Sequence, residues 1–276
     1  SSRFLGYNQL KSTSVVIGLI SGDNVVDEVN EGDDIEIVLV DTPFYAEGGG
    51  QVGDAGEING PNGKADIYDT QAVIPGLIVH FGKVAHGQIA IGESMDAHVD
   101  EMRRQNTARN HTATHLLHAA LRQVLGSHVR QAGSLVAPDR LRFDFSHVEA
   151  LTSQEIEQVQ WLVNERIRQN ATVHKDEDSY QSAIERGALA FFGDRYDENV
   201  RLIEIANGST FSFEVCGGTH VESTGELGAV YVIGESSIGA SMRRIEAVSG
   251  RAAEKLVLEK LRREEIIADK LQATAS

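Results

Sequence analysis

Two pairs of side chains in this sequence carry the clearest chemistry. His111 and His115 stand four apart, and far downstream comes Cys216-Gly217-Gly218-Thr219-His220. On a helix, the first spacing puts both imidazoles on one face, one turn apart. The two glycines after Cys216 suit a tight turn that brings the thiol and His220 toward one point. Two imidazoles from a helix, with a thiolate and a third imidazole from a loop, form a plausible tetrahedral donor set for zinc. Neither pair is specific alone. Their coexistence, with the single cysteine of the chain in the second pair, carries the metal reading. His118 is a rival on the same stripe, as a ligand, a support for a ligand or a core histidine. The donor set is complete without it. The His-Glu-x-x-His arrangement of zinc peptidases is excluded, because Thr112 stands where its glutamate base would be. No residue is assigned as catalytic.

These residues need a helix and a turn to hold them, and the surrounding pattern supplies both. Residues 101–125 lack glycine and proline, and Gly126 suits the stop of a helix. Before that helix the chain reads as β structure. Short apolar runs such as Val15-Val16-Ile17 and Ile35-Glu36-Ile37-Val38-Leu39-Val40 alternate with Gly, Asn, Asp and Pro clusters. Many short strands with regular turns suggest a small barrel. After it, Leu141, Phe143 and Phe145 alternate with polar residues. Thr152 and Glu155 form a capping box ahead of a stripe of Ile156, Val159, Leu162, Val163 and Ile167. A short helix is expected from about Ser179 to Gly187, then strands over 200–206, 210–215, 228–234 and 241–248. The fold class is therefore α+β. The expected organisation is a β-barrel subdomain over 1–100, a zinc-binding α+β domain with an antiparallel sheet over 101–250, and a C-terminal linker helix over 251–276.

Composition bounds the function. The length of 276 residues fits one large or two ordinary domains, and no apolar run approaches a transmembrane helix. No signal peptide is visible, and a start at Ser1 fits an excised or processed piece. One cysteine makes no intrachain disulfide, so a reducing, cytoplasmic setting is expected. The net charge of −16 opposes indiscriminate binding of nucleic acid. Arg103, Arg104 and Arg109 on the turns before His111, then Arg122 and Arg130, then Arg243 and Arg244 nonetheless cluster, several of them near the histidines in sequence, and together they could cradle a phosphate backbone. The run Gly48-Gly49-Gly50-Gln51 lacks the Gly-Lys-Ser/Thr ending of a P-loop. It reads as a barrel turn or as a point of close backbone approach.

Taken together, Phe44-Tyr45-Ala46-Glu47-Gly48-Gly49-Gly50-Gln51-Val52-Gly53-Asp54, the His111/His115 pair, Arg142-Phe143-Asp144-Phe145, Cys216-Gly217-Gly218-Thr219-His220 and Arg243-Arg244-Ile245-Glu246 resemble, in this order, the bacterial alanyl-tRNA synthetases. The likeness spans nearly the whole chain. Free-standing editing proteins share the pattern, and threonyl-tRNA synthetases carry a related domain. The resemblance implies a β-barrel subdomain followed by an editing core. It implies Zn2+ on His111, His115, Cys216 and His220, and hydrolysis of Ser-tRNA(Ala) and Gly-tRNA(Ala). It places Gln131 in the substrate pocket. The implied partners are the acceptor end of tRNA(Ala) and the rest of the synthetase, whose aminoacylation domain is not recognisable here. The alternatives are a free-standing deacylase, a non-catalytic zinc-stabilised tRNA-binding module and a small-molecule metallohydrolase.

Overall fold

The computed structural model describes residues 1–191 and 196–271. The chain divides into two compact units, Ser1–Thr107 and Ala108–Ser276. No described helix is long and apolar enough to cross a membrane.

The first unit is built from β1 (Arg3–Phe4), β2 (Lys11–Ser21), β3 (Asn24–Val25), β4 (Glu28–Asn30), β5 (Asp34–Leu39), β6 (Asp41–Thr42), β7 (Gly56–Asn59), β8 (Gly63–Ile74), β9 (Leu77–Ala90) and β10 (Ser94–Val99). Strands β10, β7, β8, β9, β5 and β2 pair in that order, and β10 pairs back with β2. The sheet thus closes into an antiparallel barrel and leaves these strands no free edge. The alternation in β5 explains the inside. Ile35, Ile37 and Leu39 are buried there with Val16, Ile58 and Met95. The glycine run is a turn, as one of its two readings held. Gly48 and Gln51 exchange backbone hydrogen bonds of 3.1 and 2.9 Å around Gly49 and Gly50. Their φ values of 59° and 87° are the paired positive angles that a two-residue hairpin turn of this hand requires.

His80 on β9 is buried within this unit. Its Nδ1 lies 2.8 Å from the Ile37 carbonyl, which only accepts, so Nδ1 carries the proton. Thr42 Oγ1 accepts from the Phe44 amide at 3.1 Å and donates to His80 Nε2 at 2.7 Å. The network suits a neutral ring. Burial pushes the imidazole down to about 4, against the opposing hydrogen bond to Ile37. The unfolded chain takes up this proton near pH 6.5, the folded chain only near 4. Stability from neutral His80 is therefore complete above pH 6.5 and is lost as pH falls from 6.5 toward 4. The loss is on the order of 3 kcal/mol. Urea unfolding followed by circular dichroism should show this decline, and His80→Asn should remove it. An equal decline in the variant would refute the assignment.

Helix α1 (Glu101–Leu125) follows β10, as the lack of glycine and proline predicts. Arg104 in its first turns corrects one expectation. It is not a phosphate ligand but a buried partner of Asp54. Its Nε donates to both carboxylate oxygens at 3.0 and 2.9 Å, and Nη1 donates to Gly6 O at 2.7 Å. Nη2 donates to Pro43 O at 2.8 Å and also pairs with Asp54. Asp54 Oδ2 accepts a further bond from the Tyr45 amide at 2.7 Å.

The second unit continues α1 and adds β11 (Gln131–Val136), β12 (Leu141–Ser146), α2 (Ser153–Arg168), β13 (Thr172–Ser179), α3 (Tyr180–Glu185), β14 (Asn199–Asn207), β15 (Ser209–Val215), β16 (Val230–Gly239), β17 (Met242–Ser249) and α4 (Gly250–Leu271). One antiparallel sheet runs β11-β12-β17-β16 and another β13-β14-β15. Thr152 and Glu155 form the expected capping box, with Thr152 Oγ1 accepting from the Glu155 amide at 3.2 Å. The stripe of α2 buries Val159, Val163 and Ile167. These join Leu116, Leu117 and Leu121 of α1 and Phe143, Phe145 and Ile245 of the first sheet in one core. Strand β13 has no apolar alternation and was not expected. The run expected from 228 begins at Val230, because Gly228 at φ 71° follows a 3₁₀ turn over Thr224–Leu227. The last five residues of the expected linker helix lie outside the described residues.

Candidate metal centre

Every residue of α1 from Ala113 to His118 is buried. Polar groups on such a helix must find partners inside the fold. His111, His115, Cys216 and His220 meet there, with one donor atom from each within 4.8 Å of all the others. Cys216 Sγ lies 3.4 Å from His111 Nε2 and 3.3 Å from His220 Nε2. In a zinc tetrahedron with ordinary Zn–S and Zn–N bonds, such S···N edges are about 3.6 Å. The spacing and the N/S chemistry therefore fit a four-coordinate ion.

The local sequence explains how the loop is held. Strand β15 ends at Val215 and delivers Cys216, whose amide donates to Arg201 O at 3.0 Å. Arg201 Nη1 donates to Gly218 O at 2.6 Å, and the Gly218 amide points at Cys216 Sγ from 3.4 Å. Thr112, the residue in the place of a peptidase glutamate, has a supporting part instead. Its Oγ1 lies 3.1 Å from His220 Nδ1 and accepts from the Val221 amide at 3.3 Å. That contact leaves His220 Nε2 facing the cysteine.

Sequence reasoning missed Glu214, which is buried beside the cluster. Its carboxylate lies 3.1 Å from His115 Nδ1 and 2.9 Å from His118 Nδ1. Burial alone would raise its carboxyl. The charges of His115 and His118 outweigh that and hold it well below the carboxylate range. Burial likewise opposes the proton of His115, but Glu214 and Cys216 together outweigh it and raise that imidazole, and a bound cation would take the place of the Nε2 proton. Burial would also raise the Cys216 thiol, yet the neighbouring His111, His220 and His115 hold it well below its ordinary value. A thiolate is the form that ligates metals. His118 thus stands outside the four-residue cluster, against the carboxylate that touches His115. The one signal for Glu214 in the sequence was parity, since Ser212 and Glu214 are both polar and both fall on the buried face of β15.

The other candidates are not brought into the cluster. Gln131 is the first residue of β11, half-buried, and its amide donates to Ser134 Oγ at 3.1 Å. Much of the basic group is engaged internally. Arg109 Nε donates to Glu226 O at 2.9 Å, and Arg122 Nη1 to Ser127 O and Val129 O at 2.9 and 2.7 Å. Arg243 pairs with Glu235, and Arg244 grips both oxygens of Asp144. Arg130 remains exposed. A cavity of about 480 Å³ borders Glu214, lined also by Arg122, Arg166, Phe211 and Phe213.

Comparison with known proteins places this site in context. Residues 1–103 match the family described as tRNA synthetases class II (A), and residues 200–246 match the threonyl and alanyl tRNA synthetase second additional domain. The chain is thus class II synthetase material carrying that additional domain, and Cys216 and His220 fall inside the second match. It is 48% identical over 263 residues to the alanine--tRNA ligase of Chloroflexus aurantiacus, covering 92% of this chain and 29% of that enzyme. It is 45% identical over 268 residues to that of a Thermoanaerobacter species, covering 97% and 30%. The chain belongs to the alanine--tRNA ligases and spans about three tenths of the length of these relatives.

Proposed function

We propose that this chain is an editing hydrolase segment, with residues 101–250 as its catalytic domain and 1–100 and 251–276 as a barrel subdomain and a linker helix. It cleaves the ester of Ser-tRNA(Ala) and Gly-tRNA(Ala). The observation that carries the reading is the cluster of three buried imidazoles and one half-buried cysteine sulfur in a segment of this family. The need follows from chemistry. A pocket for alanine cannot exclude the smaller glycine, and it rejects an added hydroxyl only by about a hundredfold. A second site that accepts serine and destroys its ester corrects the error.

His111, His115, Cys216 and His220 would hold Zn2+. Four protein donors would fill the coordination of such an ion, which would then supply fixed positive charge at the pocket and not an open position for water. Thr112 fixes His220, and Arg201 fixes the turn that carries Cys216. Gln131 lines the substrate pocket. The acceptor end of tRNA(Ala) and the remainder of the synthetase are the partners, in a reducing cytoplasmic setting.

The closed donor set also favours a second reading, a zinc-stabilised module that binds tRNA without chemistry. One assay separates the two. At high protein concentration, Ser-tRNA(Ala) and Gly-tRNA(Ala) should be deacylated and Ala-tRNA(Ala) spared. Bound but intact Ser-tRNA(Ala) would establish the second reading instead.

A further inference from the structure

Glu214 contributes a buried carboxylate to the interior, an expensive group to bury unless it is paired. Both of its oxygens meet imidazoles, Oε2 at His115 Nδ1 and Oε1 at His118 Nδ1, at 3.1 and 2.9 Å. Ser212 Oγ donates to Oε1 at 3.3 Å. An ionised carboxylate has lone pairs for several donors and no proton of its own. His118 Nδ1 hydrogen-bonds Oε1, so that ring presents N–H there. His115 Nδ1 faces Oε2 at 3.1 Å as an ion-pair contact outside hydrogen-bond geometry, and because lone pairs of a ring nitrogen and a carboxylate would repel at that distance, it too carries its proton on Nδ1.

His118 makes the arrangement more telling. Its ring packs between Phe143 and Phe191, with centroids 5.1 and 4.9 Å away. Its Nε2 is buried without a hydrogen-bond partner among the described residues. An apolar side chain would fill that space at no such cost. Its pairing with Glu214 anchors the carboxylate that faces His115.

We infer that Glu214 is a positioning residue, whose one carboxylate fixes the ring orientation and tautomer of His115 so that Nε2 is turned into the four-residue cluster. The inference rests on reading that cluster as a metal site. Glutamine at this position would keep the shape and lose the symmetry. Its oxygen accepts from one ring only, and its NH2 needs an acceptor. One histidine must then carry its proton on Nε2. If that ring is His115, its donor atom is blocked.

The test uses the intact chain loaded with Co2+, whose visible absorption reports thiolate ligation, and Zn2+-loaded protein for long-range 15N NMR of the rings. The parent should show both His115 and His118 protonated at Nδ1. Glu214→Gln should keep its circular dichroism spectrum yet bind Co2+ roughly ten- to a hundredfold more weakly, by competition with a chromogenic chelator. Adding His118→Phe to Glu214→Gln should recover most of that loss, because the amide oxygen then serves His115 alone. A parent that binds tightly with Glu214→Gln unaltered overturns this inference alone, as does a double variant with no recovery. A parent that takes up neither ion overturns the metal reading and this inference with it.

Discussion

Cys216→Ala is expected to release the metal and to lower Ser-tRNA(Ala) deacylation by roughly a hundredfold or more. Cys216 is the one thiolate donor of the cluster, and its sulfur sits within 3.4 Å of two of the three imidazoles. Without it, three buried imidazoles are left to compensate a divalent ion with no anionic ligand among them. Metal analysis and single-turnover deacylation on the same preparation check the result. If the variant loses its metal yet hydrolyses Ser-tRNA(Ala) at the parent rate, the site has no part in the chemistry. His220→Ala should behave alike, since its Nε2 points at the same sulfur.

Asp54→Ala should destabilise the unit Ser1–Thr107 by about 3–5 kcal/mol, the usual cost of leaving a buried charge uncompensated. The Arg104 guanidinium is almost fully enclosed, with side-chain exposure of 6%, and Asp54 is its only carboxylate partner among the described residues. The two carbonyls it also meets, Gly6 and Pro43, accept hydrogen bonds but carry no net charge. Removing both charges with Asp54→Leu and Arg104→Met should cost less than removing one, because nothing ionic is then left buried. Urea unfolding at neutral pH, followed by circular dichroism, gives the comparison. A loss below about 1 kcal/mol for Asp54→Ala would show that water reaches the arginine.

What the sequence disclosed followed from local rules. The absence of glycine and proline over 101–125, the Thr152 cap and the alternation of Leu141, Phe143 and Phe145 each report short-range physics, and each matches the element found there. The two halves of the candidate metal site were legible because their residue types are scarce and their spacing is periodic. Strand β13 was not, because Thr172–Ser179 buries little beyond Val173 and takes its shape from pairing with β14. Arg104 was misread for a related reason. A sequence shows that a residue is basic, but its ion pair with Asp54 depends on a tertiary approach. Glu214 was hidden in the same way, as an ordinary acidic residue until the fold sets it between two histidines.

The chain separation of the donors has a consequence for how this protein is made. During synthesis His111 and His115 emerge well before β13, β14 and β15 exist, and a nascent chain that stops short of Cys216 offers an ion only half a cage. Capture of a metal by the full donor set would then have to wait for the closing of a long loop, which is entropically unfavourable until the intervening sheet forms. An ion captured there would act on the chain as a removable cross-link between α1 and the turn that follows β15.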